Sequence, residues 1–335
     1  IFEGGIMGVA LGVVLGSILQ LIVSSIGLIG LGFDYEFKIF WRNKGFRKVL
    51  NLLPARSFDQ GMDYVVSLME TNLASRMTEG TVRIFQQATT LHVVPINLIG
   101  VSISTAAFPR LTERLSENRI DLFKDELRSV IRAIVWLALP VAIITYFTRG
   151  YVVSFISHRG NSLMAGLLGV FAVAILFRCL YHILARSFYA QQDTKTPLYI
   201  SIVAISLNVF LAIWFTFSLR YGAYGLAVAQ AIVAIVEVVI LFTMMEMRTP
   251  GVLNKYFWQG ILRMASAAGF MSIICYFMVH WLPFEAGARS LYEAVPKFIL
   301  IVLVSLSTYL MFSRLLQIKE SEPVMRKLRK VFFRA

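Results

Sequence analysis

Long apolar runs, most of them about twenty residues or more, recur from one end of this chain to the other, and the short stretches between them hold most of the charge. A helix crosses the hydrocarbon of a bilayer with roughly 20 such residues. Lipid offers no partner to backbone N–H and C=O groups, so only helices and closed barrels can span it. No segment shows the residue-by-residue alternation of a barrel strand. The chain is therefore predicted to be all-α, a polytopic membrane helix bundle with about nine transmembrane helices. These spans are read near 5–32, 57–76, 80–107, 129–148, 162–188, 197–218, 224–246, 260–281 and 295–315.

Composition agrees: 58% of the 335 residues are hydrophobic, 15% are charged, and mean hydropathy is +0.72. A soluble domain of this size needs a wetter surface. The net charge of +13 would suit a nucleic-acid partner, but the basic residues lie between the spans, so membrane topology accounts for them and no nucleic acid is expected. Of 32 lysines and arginines, 24 fall on one set of alternating loops and 7 on the other, with Arg178 inside a span. That asymmetry places 34–56, 108–132, 186–195, 248–263 and the C-terminus in the cytoplasm of a multi-pass inner-membrane protein. The first residues run straight into a span, and an N-terminal portion is expected to precede Ile1. Cys179 and Cys275 lie in separate apolar segments with no metal or disulfide spacing.

Five segments follow from this pattern. Residues 1–33 hold the first span, with Gly4, Gly8, Gly12 and Gly16 forming a ridge that ends near Gln20 and permits close helix packing. Residues 34–56 mix Phe37, Phe40, Trp41 and Phe46 with Lys38, Arg42, Lys44, Arg47 and Lys48, and read as an amphipathic cytoplasmic helix. Residues 57–247 form a six-helix group, 248–316 a final helix pair, and 317–335 a basic tail containing Arg326-Lys327-Leu328-Arg329-Lys330.

Polar residues inside spans mark a hydrated interior, because they are costly in lipid. Asp59, Asp63 and Glu70 fall within roughly 40° of one another on the second span. Arg83, Gln86, Thr90, Asn97 and Ser104 share about 60° of the third, with His92 off that stripe. Arg178, His182 and Arg186 are spaced four apart on the fifth span. Arg186 can snorkel to the interface, whereas Arg178 is deep and needs an acidic partner or an anionic ligand; a guanidinium suits phosphate. Asn208 lies in the sixth span, and Gln230 and Glu237 share a face of the seventh. These oxygen-bearing side chains, with Glu70, are candidate cation ligands or proton carriers. No Walker loop, HExxH, CxxC or Ser/His/Asp arrangement stands out, and the chain is not expected to be an enzyme.

Two stretches carry a resemblance. Ala185-Arg186-Ser187-Phe188-Tyr189-Ala190-Gln191-Gln192-Asp193-Thr194-Lys195-Thr196-Pro197 resembles the cytoplasmic "FYA…DTKTP" signature of the MurJ/MviN family of lipid II flippases. Glu70, Ala74-Ser75, Gly80, Pro95 and Phe108-Pro109-Arg110-Leu111 are similar to that family's paired seventh and eighth helices, and Gly12–Gln20 resembles its sixth. The resemblance implies helices six to fourteen of a fourteen-helix flippase of the MOP exporter superfamily. The segments above then become the last helix of the N-terminal lobe, the linker, the C-terminal lobe and a terminal pair forming a lipid-tail groove. Two positions depart from the family pattern: Thr90 stands where a cavity arginine is usual, and Ala212 where a carboxylate would join a sodium site. His182 falls where relatives carry a basic residue.

The implied function is transport of a polyprenyl-diphosphate-linked peptidoglycan precursor, lipid II, to the outer leaflet by alternating access. The expected substrate-binding residues are Arg83, Gln86, Thr90, Asn97, Arg178 and His182; a cation would fall to Glu70, Asn208 and Gln230. No cofactor is expected, though coupling to Na+ or to the membrane potential is open. Expected partners are the lipid-linked precursor, membrane lipids and cell-wall synthesis proteins. The alternatives are an exporter of another polyprenyl-linked glycan such as an O-antigen unit, a membrane-embedded transferase, and a non-transporting scaffold.

Overall fold

A computed structural model describes residues 5–26, 43–157, 161–283, 291–324 and 326. The predicted residues 34–42 of the linker and most of the basic tail lie outside these. The chain divides into two compact units, Ile1–Asn51 and Leu52–Ala335.

In the first unit, α1 (Gly5–Ile26) is a single helix whose serines, Ser17 and Ser25, return their hydroxyls to the carbonyls of Val13 and Leu21 four residues earlier. The next helix, α2 (Lys44–Ser75), runs on past residue 56, where the sequence reading ends the linker and begins the second span. Arg56-Ser57-Phe58-Asp59-Gln60-Gly61 contains no helix-stop combination, and Pro54 just before it removes one donor from the ladder without ending the helix.

The second unit continues with α3 (Thr81–Pro95), a π-helical stretch (Ile96–Val101) and α4 (Ser102–Ser116) in one rod, then α5 (Ile120–Ser154) and α6 (Ser162–Ala190). It is completed by α7 (Lys195–Ile213) with a π-helical end (Trp214–Ser218), α8 (Ala223–Arg248), α9 (Lys255–Trp281), α10 (Leu291–Leu315) and a 3-10 turn, Lys319–Ser321. Nine helical rods thus stand among the described residues, and seven of them are long and apolar enough to cross a membrane. The apolar part of α1 is shorter, Ala10–Ile26, and α2 is too rich in charge to qualify.

Helix α6 is the hub. It packs on α3, on the first π-helical stretch, on α4, α5 and α8, and Phe171, Ile175, Cys179, Ile183 and Phe188 along it are fully buried. Its closest approach to the α3–α4 rod is at Gly100, where a Cβ would lie 2.7 Å from the Cα of Cys179. Only glycine fits that meeting of two backbones. Pro95 lacks an N–H and its ring crowds the preceding turn, and the wider π-helical turn after it accommodates that defect.

Two polar devices fasten the basic end of the bundle. Glu246 accepts the N–H groups of Gly251 and Leu253 at 2.6 and 2.9 Å, while Arg128 of α5 donates to the carbonyls of Gly251 and Val252. Arg132, buried on α5, donates from Nη2 to Oε2 of Glu320 at 2.9 Å, and its Nε lies 2.7 Å from Oε1. Its guanidinium lies over the ring of Tyr256 and against Gly260, and these groups edge a cavity of about 420 Å³. The segment after α10 is thereby pinned to α5. Farther along, the Tyr309 hydroxyl donates to the Trp136 carbonyl at 3.0 Å.

The motif loop between α6 and α7 is a clasp built on one carboxylate. Asp193 accepts from the backbone N–H groups of Lys195 and Thr196, from the Thr196 hydroxyl at 2.6 Å, and from Arg248 at 2.6 Å. Burial works to raise the Asp193 carboxyl, but the Thr196 and Arg248 donors outweigh it and hold it below the usual range. The carboxyl is lower in the folded state, so its contribution is present above the unfolded value of about 4 and is lost as pH falls through the folded one.

Two measurements follow. Removing one partner of a buried ion pair leaves the other charge uncompensated, at about 3–5 kcal/mol. Glu320→Ala should therefore lower the melting temperature clearly, and Arg132→Met with Glu320→Leu should recover most of the loss; equal loss in both would deny the pairing. Asp193→Ala, which removes a helix cap worth about 1 kcal/mol, should lower the melting point at pH 7, with the gap from wild type closing only in acid below about pH 4.

Candidate functional site

Six of the nine polar residues singled out from the sequence surround one cavity of about 320 Å³ in the second unit. Residues four apart share a helix face, so Arg178 and His182 of α6 both reach it, with Tyr181 beside them. Glu70 enters from α2, His92 and Thr89 from α3, Asn97 from the π-helical stretch, Ser201 and Asn208 from α7, and Gln230 and Glu237 from α8.

The charges are paired across helices. Arg178 Nη1 lies 3.2 Å from Glu237 Oε2; the Arg178 side chain keeps 30% of its surface open while that of Glu237 keeps 5%. Gln230 Nε2 donates to Oε1 of Glu70, itself buried, at 2.6 Å. The Tyr181 hydroxyl lies 3.5 Å from that of Ser201. Among the described residues that line the chamber, two buried polar atoms have no hydrogen-bond partner: Nδ1 of His92, whose ring stacks on Phe171 at 4.5 Å, and Oδ1 of Asn208. Buried polar atoms are normally satisfied, so both mark places that water or a ligand fills.

The other three predicted residues lie elsewhere. Arg83, Gln86 and Thr90 are exposed on α3 away from the cavity, and the Thr90 hydroxyl returns to the Gln86 carbonyl at 2.9 Å. Ser104, read on the same stripe, is fully buried, with its hydroxyl on the Gly100 carbonyl. The π-helical stretch explains the split: an i→i+5 turn takes one residue more than an α-turn, which rotates the following face by about 100°. Arg186 does not enter the cavity; it ties α6 to the neighbouring rod by donating to the Val101 carbonyl and the Thr105 hydroxyl.

Sequence reasoning placed His92 outside the site and gave Glu237 no role with Arg178. The signal for Glu237 was present. Glu70 and Glu237 are the acidic residues deep in the predicted spans, and a guanidinium at that depth requires one of them. The separate substrate and cation sets of the sequence reading meet in one chamber.

Glu70, Asn208 and Gln230, the residues expected to hold a cation, all line the chamber. The oxygen of Glu70 that a cation would share already takes an amide proton from Gln230, and Arg178 adds positive charge to the same chamber. Ala212, at the position expected of a further carboxylate, is fully buried and offers no oxygen from its side chain.

Comparison with known proteins agrees on the fold. A solved structure of a lipid II flippase MurJ in an inward closed conformation superposes with a TM-score of 0.67 at 22% identity, covering 93% of this chain and 62% of that one. An outward-facing multidrug resistance transporter of the MATE family, in the MOP superfamily, gives 0.53 at 11% identity over 83% of this chain and 66% of that one. Among curated proteins, probable lipid II flippases MurJ of Thermotoga maritima and Vibrio cholerae are 23% and 25% identical, each aligned over 85% of this chain and 56% of its own length. The chain thus spans about half the length of the curated relatives it matches. The model of the family described as lipid II flippase MurJ matches residues 2–294, and the chain belongs to that family.

Proposed function

We propose that the protein moves a polyprenyl-diphosphate-linked peptidoglycan precursor, lipid II, from the cytoplasmic to the outer leaflet of the inner membrane by alternating access. The observation that carries this reading, beside family membership, is a guanidinium, Arg178, opening into a polar chamber enclosed by helices. Arg178 would take the diphosphate, with His182 and Asn97 in hydrogen-bonding reach of the same chamber. The excess of basic residues on alternate loops supports a cytoplasmic C-terminus.

The work is binding and conformational change, with no covalent step. Moving an anionic headgroup outward is favoured by an inside-negative potential, at about 2.3 kcal/mol per charge per 100 mV. That supports the membrane potential over a bound sodium ion as the driving force. Arg83, Gln86 and Thr90, exposed on α3, remain available to another part of the headgroup. Cell-wall synthesis proteins that supply or consume the precursor are the partners this role implies.

The test is binding of lipid II to the complete gene product, against the same polyprenyl diphosphate without its sugar–peptide headgroup, for wild type and Arg178→Ala. Loss of a charge-assisted hydrogen bond of about 1.5–3 kcal/mol corresponds to about 10- to 100-fold weaker binding by the variant. Lipid II translocation in proteoliposomes should fall with it. Unchanged binding by Arg178→Ala would remove the chamber from the reading. Translocation of an O-antigen lipid in preference to lipid II would change the substrate.

A further inference from the structure

The cavity of about 420 Å³ at the basic end of the bundle shares no lining residue with the chamber. It lies where charged sequence gives way to apolar sequence. Arg132 is the last charged residue of α5 before the uncharged run 133–148, and Arg263 the last of α9 before 264–279. Tyr256 and Trp258, exposed at the start of α9, are rings of the kind that settle at a membrane–water interface. The cavity therefore stands at headgroup depth. Its open rim is formed by Asp125, Ser129, Tyr256, Lys319 and Pro323, all exposed, with Arg132 buried behind them.

The charges around it do not cancel. Asp125 lies 2.6 Å from Arg128, and Glu320 is held by Arg132, so each carboxylate already has its guanidinium. Lys319 is the surplus cation: among the described residues it forms no ion pair. Its partner is Tyr256, which it meets at the ring, 5.3 Å from the centroid, and at the hydroxyl; Tyr256 brings no negative charge of its own. Arg132 lies 4.6 Å from the same centroid. Two cations are thus gathered on one aromatic ring, and a single carboxylate, Glu320, answers one of them. A group with one negative charge and only acceptor oxygens completes the set.

We propose that this cavity binds the phosphate of an anionic membrane lipid. The phosphodiester is held by the Lys319 ammonium and by the hydroxyls of Ser129 and Tyr256, while Arg128 and Arg132 stay with their carboxylates and contribute through their field. Three cations then face two carboxylates and one phosphate, and the site is neutral. The side is that of the basic loops, which supports the cytoplasmic leaflet, where anionic headgroups gather against basic pockets between helices. A phosphate there joins α5, α9 and the segment after α10. It fastens that segment from the membrane side, as the Arg132–Glu320 pair fastens it from within. The proposal needs the membrane setting and does not rest on the flippase reading.

The experiment is retention of phosphatidylglycerol by the complete gene product, read by native mass spectrometry against phosphatidylcholine of the same acyl chains. Wild type, Lys319→Gln, Lys319→Arg and Lys124→Gln are compared. Lys124 also stands on α5 but does not line the cavity, so its loss reports general surface charge. Wild type should prefer phosphatidylglycerol. Lys319→Gln should weaken that lipid about fivefold, the effect of one basic residue close to an anionic headgroup. Lys319→Arg and Lys124→Gln should remain near wild type. Lys319 is exposed and unpaired with any carboxylate, so its replacement leaves the fold intact, and the wild-type preference needs no variant at all.

Glycerol 1-phosphate in solution separates the two sources of phosphate. It should compete weakly with a lipid held at headgroup depth; binding as tight as the lipid's, lost in Lys319→Gln, would support the phosphate site with a soluble occupant. Equal retention of both lipids by wild type overturns the proposal. So does an unchanged preference in Lys319→Gln, or an equal loss in Lys124→Gln. Lipid II binding by Lys319→Gln should match wild type, so that failure at this cavity and failure at the chamber are read apart.

Discussion

A guanidinium inside a membrane-spanning helix must be answered by negative charge, and the arrangement of the second unit follows from how Arg178 is answered. Its partner comes from α8, so α6 and α8 lie side by side, and the chamber opens where their polar faces turn toward α2, α3 and α7. Much of the rest of α6 is buried by apolar neighbours, and the backbone approach at Gly100 brings the α3–α4 rod against it. Helix α6 is thus mostly apolar and presents Arg178, Tyr181 and His182 to the chamber. The scaffold fixes the guanidinium, and water or substrate completes it.

Much of this was legible in the sequence. Seven of the nine helical rods follow from hydropathy alone, because the length of apolar runs answers directly to bilayer thickness. Six of the nine singled-out polar residues line one chamber, since intramembrane polarity is rare enough to be informative one residue at a time. What the sequence concealed was phase and pairing. The stripe through Arg83, Gln86, Thr90, Asn97 and Ser104 assumes one rotation per residue throughout, and the π-helical turn after Pro95 breaks that assumption, separating Arg83 from Asn97 and burying Ser104. Nor does helical periodicity say which acidic residue meets Arg178. Glu70 and Glu237 are equivalent as intramembrane carboxylates, and only packing gives one to the arginine and the other to Gln230.

The same contrast separates the two ion pairs of the unit. Arg132 and Glu320 are both closed off, with the guanidinium wedged against Gly260 and an aromatic ring; that pair is a fastening. Arg178 and Glu237 differ in exposure, the base facing the chamber and the acid withdrawn. A symmetric burial resists exchange, whereas an asymmetric one presents a charge to whatever enters. Two bridges of the same chemistry therefore differ in setting, one closed off at the end of the bundle and one bordering the chamber.

The clasp at Asp193 has a bearing on how such chains are recognised. The most diagnostic stretch of the sequence, Asp193 to Pro197, spends its polar atoms on its own loop and on Arg248, and none of its residues lines the chamber. Its information is architectural: it reports that two helices turn here and that a third ends beside them. A signature of this kind is a mason's mark. It identifies the builder of the scaffold with high fidelity and is silent on the cargo, which is written in scattered, weakly patterned residues on other helices. Proteins that share the mark can thus diverge in what they carry without any change in the feature by which they are found.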